Sequence, residues 1–405
     1  MLRDRLRALR ERTINLELYL KHLARSKLWG QMPLSEVKEY SLCWREDRPF
    51  IGAPVEADDP RIVKSFTRHN SDYQYEYIIR YSHKALIEPN YGWVIANGAI
   101  IPESLPYSRD FQHVSPLLHK YLPLPSLRKC LKAKSFDRAN VEREPCVISL
   151  RDAGEGNYWH FYNDVLSKLV LLEKYRIATD APVVVAKSLY AQPYFQSILK
   201  RSRLQFRRLI VQDDFYVEAE ETVFCKAMPY DRTHFFEILD YLNISEEPKQ
   251  VNERVFLVRN LRRGRFIANF DEVKSVCDEY GFRMIDTEEL DLEEQIRLFS
   301  QSRYVIGVHG SGLTNIIYRR NGELSLLEVF PPGFIPPHFY WLTTAFRFKY
   351  QSMMGVSGIK GDADDASENN GSGIGKDGLI DRAVVWNDLV ITPNLLRSKI
   401  EEMLR

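Results

Sequence analysis

From about residue 145 onward, short apolar runs alternate with stretches in which apolar side chains recur every three or four positions. An apolar run of about four to eight residues bounded by turn formers reads as a buried strand, and a ~3.6-residue repeat reads as a helix laid on a sheet. The first series opens with PCVISLRD. It continues with a predicted helix over Tyr158–Tyr175, a strand over 182–186, a helix over Tyr190–Arg201 and a strand over Arg208–Val211. After the polar break Glu246–Gln250 a second series begins. It predicts strands at Arg254–Arg259, Phe282–Asp286, Tyr304–Ile306 and Leu324–Phe330, and helices at Asp271–Tyr280, Leu292–Ser300, Leu313–Tyr318 and Asn394–Leu404. Two such series in succession predict an α/β protein with two open, largely parallel sheets. Ligands in these sheets bind beyond the carboxyl ends of the strands, which for two domains means a cleft.

Upstream, from Val63 to Ile101, the aromatic-rich runs YQYEYIIRY and YGWVIANGAII predict short strands, with Pro89-Asn90 and Asn97-Gly98 as turns. Residues 1–45 predict a helical leader, because Leu2, Leu6, Leu9, Ile14, Leu16, Leu20 and Leu23 are interspersed with arginines. Packing on protein or on a partner subunit is its favoured role, and peripheral contact with an anionic membrane surface is the other. The expected organisation is the leader (1–45), an amino-terminal α/β domain with a small β-rich segment (46–245) and a carboxy-terminal α/β domain (246–405). The polar, glycine-rich stretch 358–378 reads as a surface loop. Its Asp362-Ala363-Asp364-Asp365 has the form of a metal-binding DxD, but such a loop preorganises no ligand set, so no metal is expected.

Composition narrows the classes. The 405 residues are 44% hydrophobic and 27% charged, enough for sizeable cores. Fifty-six basic against 55 acidic side chains leave a net charge of +1, without the cationic excess of a nucleic-acid binder. Five scattered cysteines with no CxxC pair fit a reducing compartment. No run nears the ~18 apolar residues of a membrane helix and no secretory signal is legible. The expectation is a cytoplasmic protein, with the basic leader available at the inner membrane surface.

Four constellations carry chemistry. In YVIGVHGSGLTNIIY a strand enters a turn of Gly307, His309, Gly310, Ser311 and Gly312 before a helix-compatible segment. A helix start attracts anions, glycine lets backbone approach closely, and His309, Ser311 and Thr314 add donors. A turn that needs glycine merely to bend is the alternative. In GEGNYWHFYND, helical spacing puts Asn157, His160 and Asp164 on one face. A His and an Asp there can bind a sugar hydroxyl and remove its proton, or can simply form a capped, hydrogen-bonded helix start. Arg259, Arg262, Arg263 and Arg265 surround Gly264 just past a strand, where guanidinium forks suit phosphate better than a structural turn. Finally, Glu328 ends the strand LSLLEVF before Pro331-Pro332, at the same sheet edge as the glycine turn, and suits ribose or sugar hydroxyls.

Several of these pieces together resemble glycosyltransferase family 61. The match runs from the arginine-rich LVRNLRRGRF through the Glu-Gln-Ile helix to HGSGLTN, where Ser311 replaces the usual alanine, and to Glu328 before proline. NYWHFYNDV is similar to the family's amino-terminal motif. The resemblance implies a GT-B fold, two Rossmann-like domains facing across a cleft. It also implies inverting, metal-independent transfer of a sugar from a nucleotide-sugar donor to a glycan or lipid-linked acceptor, with no resident cofactor. By that resemblance Arg259, Arg262, Arg265 and the turn His309, Gly310, Ser311, Gly312, Leu313, with Thr314 and Asn315, hold the donor diphosphate and nucleotide. Glu328 lies near the ribose, and Asn157, His160, Asn163 and Asp164 face the acceptor. Asp164 or His160 is the base, with Asp164 narrowly preferred. Capsule or lipopolysaccharide assembly is the expected setting, and a non-catalytic nucleotide- or sugar-phosphate-binding protein of the same fold is the alternative. Sugar, nucleotide base, acceptor and oligomeric state are not read from the sequence.

Overall fold

The computed structural model describes residues 30–31, 40–49, 57–67, 73–89, 92–97, 99–104, 141–152, 154–227, 230–244, 252–259, 264–357 and 388–405. The chain divides into two units. One comprises Met1–Pro49, Tyr73–Pro229 and Thr233–Asn243, and the other Phe50–Asp72, Tyr230–Arg232 and Ile244–Arg405.

The first unit is built on a mixed sheet, in place of the largely parallel one expected. Its parallel part sets Leu209–Gln212 beside Val183–Ala186, then Val141–Ser149, then Tyr216–Lys226. Tyr216–Lys226 is the pivot, because its other edge pairs antiparallel with Tyr73–Tyr81 and Ala85–Ile87. The β-rich segment is thus an extension of this sheet, continued by Val94–Ala96 and Ala99–Ile100. Every residue of Val183–Ala186 is buried, as expected of a strand covered on both faces. Ile87, Val147, Val184, Ile210, Val217 and Ala219 form one apolar cluster along the sheet.

Two expectations change here. Tyr40–Pro49 is a strand paired with Tyr73–Tyr81, so the end of the anticipated leader is extended, and most of the rest of 1–45 lies outside the described residues. Val63–Thr67 belongs to a helix, Pro60–Thr67, and not to the β-rich segment. Asp59 accepts a hydrogen bond from the Arg61 amide (2.8 Å), and proline at the first helical position is preset for a helix start. The segment 358–378, with Asp362–Asp365, lies outside the described residues. No helix among the described residues is long and apolar enough to cross a membrane.

The second unit holds five parallel strands in the order Arg283–Ile285, Glu253–Leu257, Ser302–Val308, Ser325–Phe330, Lys349–Met354. In sequence terms this is 2-1-3-4-5, the doubly wound Rossmann-like pattern. Phe256, Ile306, Val308, Leu327, Val329 and Met353 point to one face, where helices Phe270–Glu279 and Pro393–Leu404 contribute Val273, Val276, Leu396 and Ile400. Alternate residues, including Leu257, Gly307 and Glu328, turn to the other face.

Candidate functional site

A 2-1-3-4-5 sheet reverses its winding between the first and third strands, which opens a crevice beyond their carboxyl ends. Register places Leu257 beside Gly307 and Gly307 beside Glu328, so the chain leaves both strands side by side at this point. One strand runs into Arg259 and the other into the His309–Gly312 turn. A Cβ at Gly310 would lie 2.1 Å from Nη1 of Arg259, so the guanidinium rests directly against the turn's backbone. Arg259 Nε also donates to the Gly264 carbonyl (3.3 Å). Gly264 and Arg265 are both left-handed (φ 68° and 55°), a pairing that costs energy at Arg265 and aims its side chain inward. There Arg265 is buried, donates to the His309 carbonyl and lies 5.1 Å from the Phe334 ring. Burial, followed by the charge of Arg259, pushes its pKa down to about 9. Two guanidiniums are thus held against one turn, which gathers positive charge at the strand ends. Arg262 lies outside the described residues.

Behind the turn, His309 Nδ1 is 2.5 Å from Oε1 of Glu328, and Tyr350 donates to Oε2 (2.7 Å). His309 is walled by Phe330, Phe334 and Phe339 at 5.2–5.5 Å between ring centres. Burial pushes Glu328 up to about 8. Burial, then the charges of Arg265, His338 and Arg259, holds His309 well below its ordinary value. Glu328 is at the expected sheet edge but wholly buried, with both oxygens engaged inside the protein. A ribose would have to displace His309 or Tyr350 to reach it.

The helix-compatible segment after the turn is a 3-10 helix, Ser311–Arg319. Ser311 and Gly312 stay partly exposed at its start, whereas Leu313, Thr314 and Asn315 are interior. Asn315 Nδ2 donates to Gln295 Oε1 (2.8 Å), and Gln295 Nε2 donates to the carbonyls of Thr287 and Leu290. These contacts fasten the turn from below. They leave the Asn315 amide spent on the fold.

In the first unit, the chain leaves Val141–Ser149 through Arg151, Asp152 and Gly154 into a helix capped by Asn157. The Asn157 side chain accepts from the amides of Trp159 (2.9 Å) and His160 (3.5 Å). Phe161–Leu166 is π-helical before α-geometry resumes at Ser167–Lys174, and π segments inside helices often mark functional positions. His160 Nδ1 is 2.7 Å from Asp164 Oδ2, and Asn163 donates to Oδ1 (2.8 Å). The two side chains keep 24% and 20% of their surface accessible. Burial opposes the imidazolium, but Asp164, joined by Asp152, outweighs it and His160 is raised. Burial likewise opposes the Asp164 carboxylate, yet His160, Lys168 and Asn163 hold it low.

Sequence reading missed the support beneath this pair. Lys168 binds Asp152 (2.9 Å) and the Arg151 carbonyl (3.0 Å), while Asp152 accepts from the Gly154 amide (3.2 Å). Lys168 lies four residues after Asp164, so its place on the same helix face was available in the spacing. Tyr350 offered no comparable signal. Among the described residues no group of three or more His, Cys, Asp and Glu side chains is arranged to hold a metal ion.

Residues 158–325 match the family model described as Glycosyltransferase 61. A stretch of 97 residues is 28% identical to the alpha-1,3-arabinosyltransferase XAT3 of rice (Oryza sativa subsp. japonica), covering 23% of this chain and 16% of that protein. The matched span begins at the Asn157-capped helix and ends in the strand that carries Glu328, and so takes in His160, Asp164, both described arginines and the glycine turn. The likeness to glycosyltransferase family 61 therefore rests on residues 158–325, about two fifths of the chain.

Proposed function

We propose that this chain is an inverting, metal-independent glycosyltransferase that moves a sugar from a nucleotide-sugar donor to a glycan or lipid-linked acceptor. The observation that carries this reading is the pair of like charges, Arg259 and Arg265, held against the His309–Gly310 backbone. Expelling a nucleoside diphosphate requires stabilising its growing negative charge, and preorganised donors of this kind are each worth about 3 kcal/mol. Ser311 and Gly312, partly exposed residues at the helix start, add backbone donors in this reading, and the sequence motif assigns Arg262 the same role. The GT-B pairing of the two units is part of the proposal. So is polysaccharide assembly, which the plant relative widens beyond capsule and lipopolysaccharide. That relative's name also brings a pentosyl donor into the panel to be screened.

The acceptor hydroxyl must lose its proton as it attacks. Both Asp164 oxygens are engaged by His160 and Asn163, and we assign the proton to the His160 ring, with Asp164 fixing that ring and stabilising the imidazolium. This reverses the narrow preference for Asp164 itself. The experiment is calorimetry with a panel of nucleotides and nucleotide-sugars, followed by a product assay on wild type and Asp164→Asn. The expected outcome is a preferred donor, turnover in wild type, and a loss of ~100-fold or more in the variant with donor affinity intact. Binding without turnover in wild type would make the chain a non-catalytic nucleotide binder.

A further inference from the structure

Beneath the diphosphate turn, the His309–Glu328–Tyr350 chain poses a question of proton placement. The 2.5 Å contact between His309 Nδ1 and Glu328 Oε1 needs one proton. Tyr350 already donates to Oε2, so it does not supply it. In one arrangement Glu328 is ionised, His309 carries its proton on Nδ1, and Nε2 is left as a lone pair. In the other Glu328 is the neutral acid, donates to Nδ1, and Nε2 carries the proton. An imidazolium would satisfy both groups but is opposed by aromatic walls on several sides and by Arg265, Arg259 and His338. Glu328 is entirely enclosed, facing Tyr350 and the charge of Arg265. Burial disfavours the carboxylate and here outweighs both the Tyr350 hydrogen bond and the charge of Arg265.

We infer that Glu328 is a positioning residue which, as the neutral acid, donates its proton to Nδ1 of His309 and fixes the imidazole as the Nε2–H tautomer, a donor to the oxygens of a nucleoside diphosphate. The inference rests on the donor-site reading proposed above and assigns Glu328 a task other than binding ribose. With Nδ1 spent on Glu328, Nε2 is the ring's remaining polar atom. A lone pair there would repel phosphate oxygen, whereas an N–H adds to the two arginines. The raised value of Glu328, about 8, keeps the acid form through neutral pH. No bond other than O–H and N–H changes partner, and no proton leaves the pair until Glu328 ionises.

The test uses the full chain with 15N-labelled histidine, and two-bond 1H–15N correlation spectra recorded across pH, with His309 assigned by substitution. The expected result is an Nε2–H tautomer at neutral pH that gives way to Nδ1–H as pH rises through about 8. Glu328→Gln can donate its amide to Nδ1 and accept from Tyr350, so it should hold Nε2–H at all these pH values. Glu328→Ala should lose the tautomer and weaken binding of UDP, GDP, CDP or ADP, whichever binds, by about tenfold, with Glu328→Gln restoring it. Tyr350→Phe removes a bond that favours the carboxylate, so the changeover should move to higher pH. An Nδ1–H tautomer in wild type at neutral pH, or in Glu328→Gln, overturns the inference. The expected tautomers without binding of any nucleoside diphosphate would uphold Glu328's hold on the ring and refute the donor site.

Discussion

Arg259 and Gly310 share one small volume, since a methyl group on Gly310 would sit 2.1 Å from Nη1 of Arg259. Gly310 has φ 173°, an extended conformation open to any residue, so the guanidinium and not the backbone demands glycine. The obstructing atom ends a flexible side chain and can swing away at little cost. Gly310→Ala is therefore expected to leave thermal stability nearly unchanged while nucleoside diphosphate affinity falls about tenfold or more, measured by calorimetry. Unchanged affinity would take Arg259 out of the anion site.

Gly154 stands in a different relation to His160. A Cβ there would lie 2.6 Å from Cγ and 2.7 Å from Cδ2 of the imidazole, a rigid ring on a short stem. Gly154→Ala should push the ring off Asp164, lower stability by ~1–3 kcal/mol and depress turnover, with donor affinity intact. Thermal unfolding and steady-state kinetics together check this, and full turnover in the variant would contradict it.

The His160–Asp164 pair sets a pH window. His160 is raised, so its contribution to stability is complete below the ordinary 6.5 and fades as pH rises through the higher folded value. Asp164 is lowered, so its contribution is present above 3.8 and disappears as pH falls through the folded value. These are two views of one interaction, strongest between 3.8 and 6.5. Thermal midpoints of wild type minus His160→Gln, followed across pH, should peak in that interval. A flat difference would show that the pair adds nothing to folding.

Asn315 separates fold from binding. Removing its buried amide takes the donor from Oε1 of the half-buried Gln295. Asn315→Ala should cost about 1–3 kcal/mol of stability, seen in denaturant unfolding, while the folded fraction binds nucleotide as wild type does. A selective loss of affinity would instead place Asn315 at the ligand.

Much of the second unit was readable because its information is local. The alternation of apolar runs and helical repeats follows from backbone geometry over a few residues, and it located the helices Phe270–Glu279 and Leu292–Gln301 and the strand Ser325–Phe330 to within one position at each end. Asp59-Pro60 was an equally local signal for Pro60–Thr67, overlooked beside the aromatic strands that follow. Tyr216–Lys226 was not called from the sequence, although it is the pivot of its sheet. Glu218, Glu220 and Glu221 interrupt its apolar character, and its assignment depends on neighbours from distant parts of the chain.

For the site, the sequence alone determined which residues could meet. Turn glycines, an asparagine cap and a His–Asp spacing of four are consequences of covalent geometry, and His160 does reach Asp164. Only the tertiary structure decided what each group is free to do. It buried Glu328 between His309 and Tyr350, spent the Asn315 amide on Gln295 and set Arg259 against Gly310. The reason is physical: burial and partner choice fix charge, tautomer and access, and both arise from strands brought side by side from remote positions.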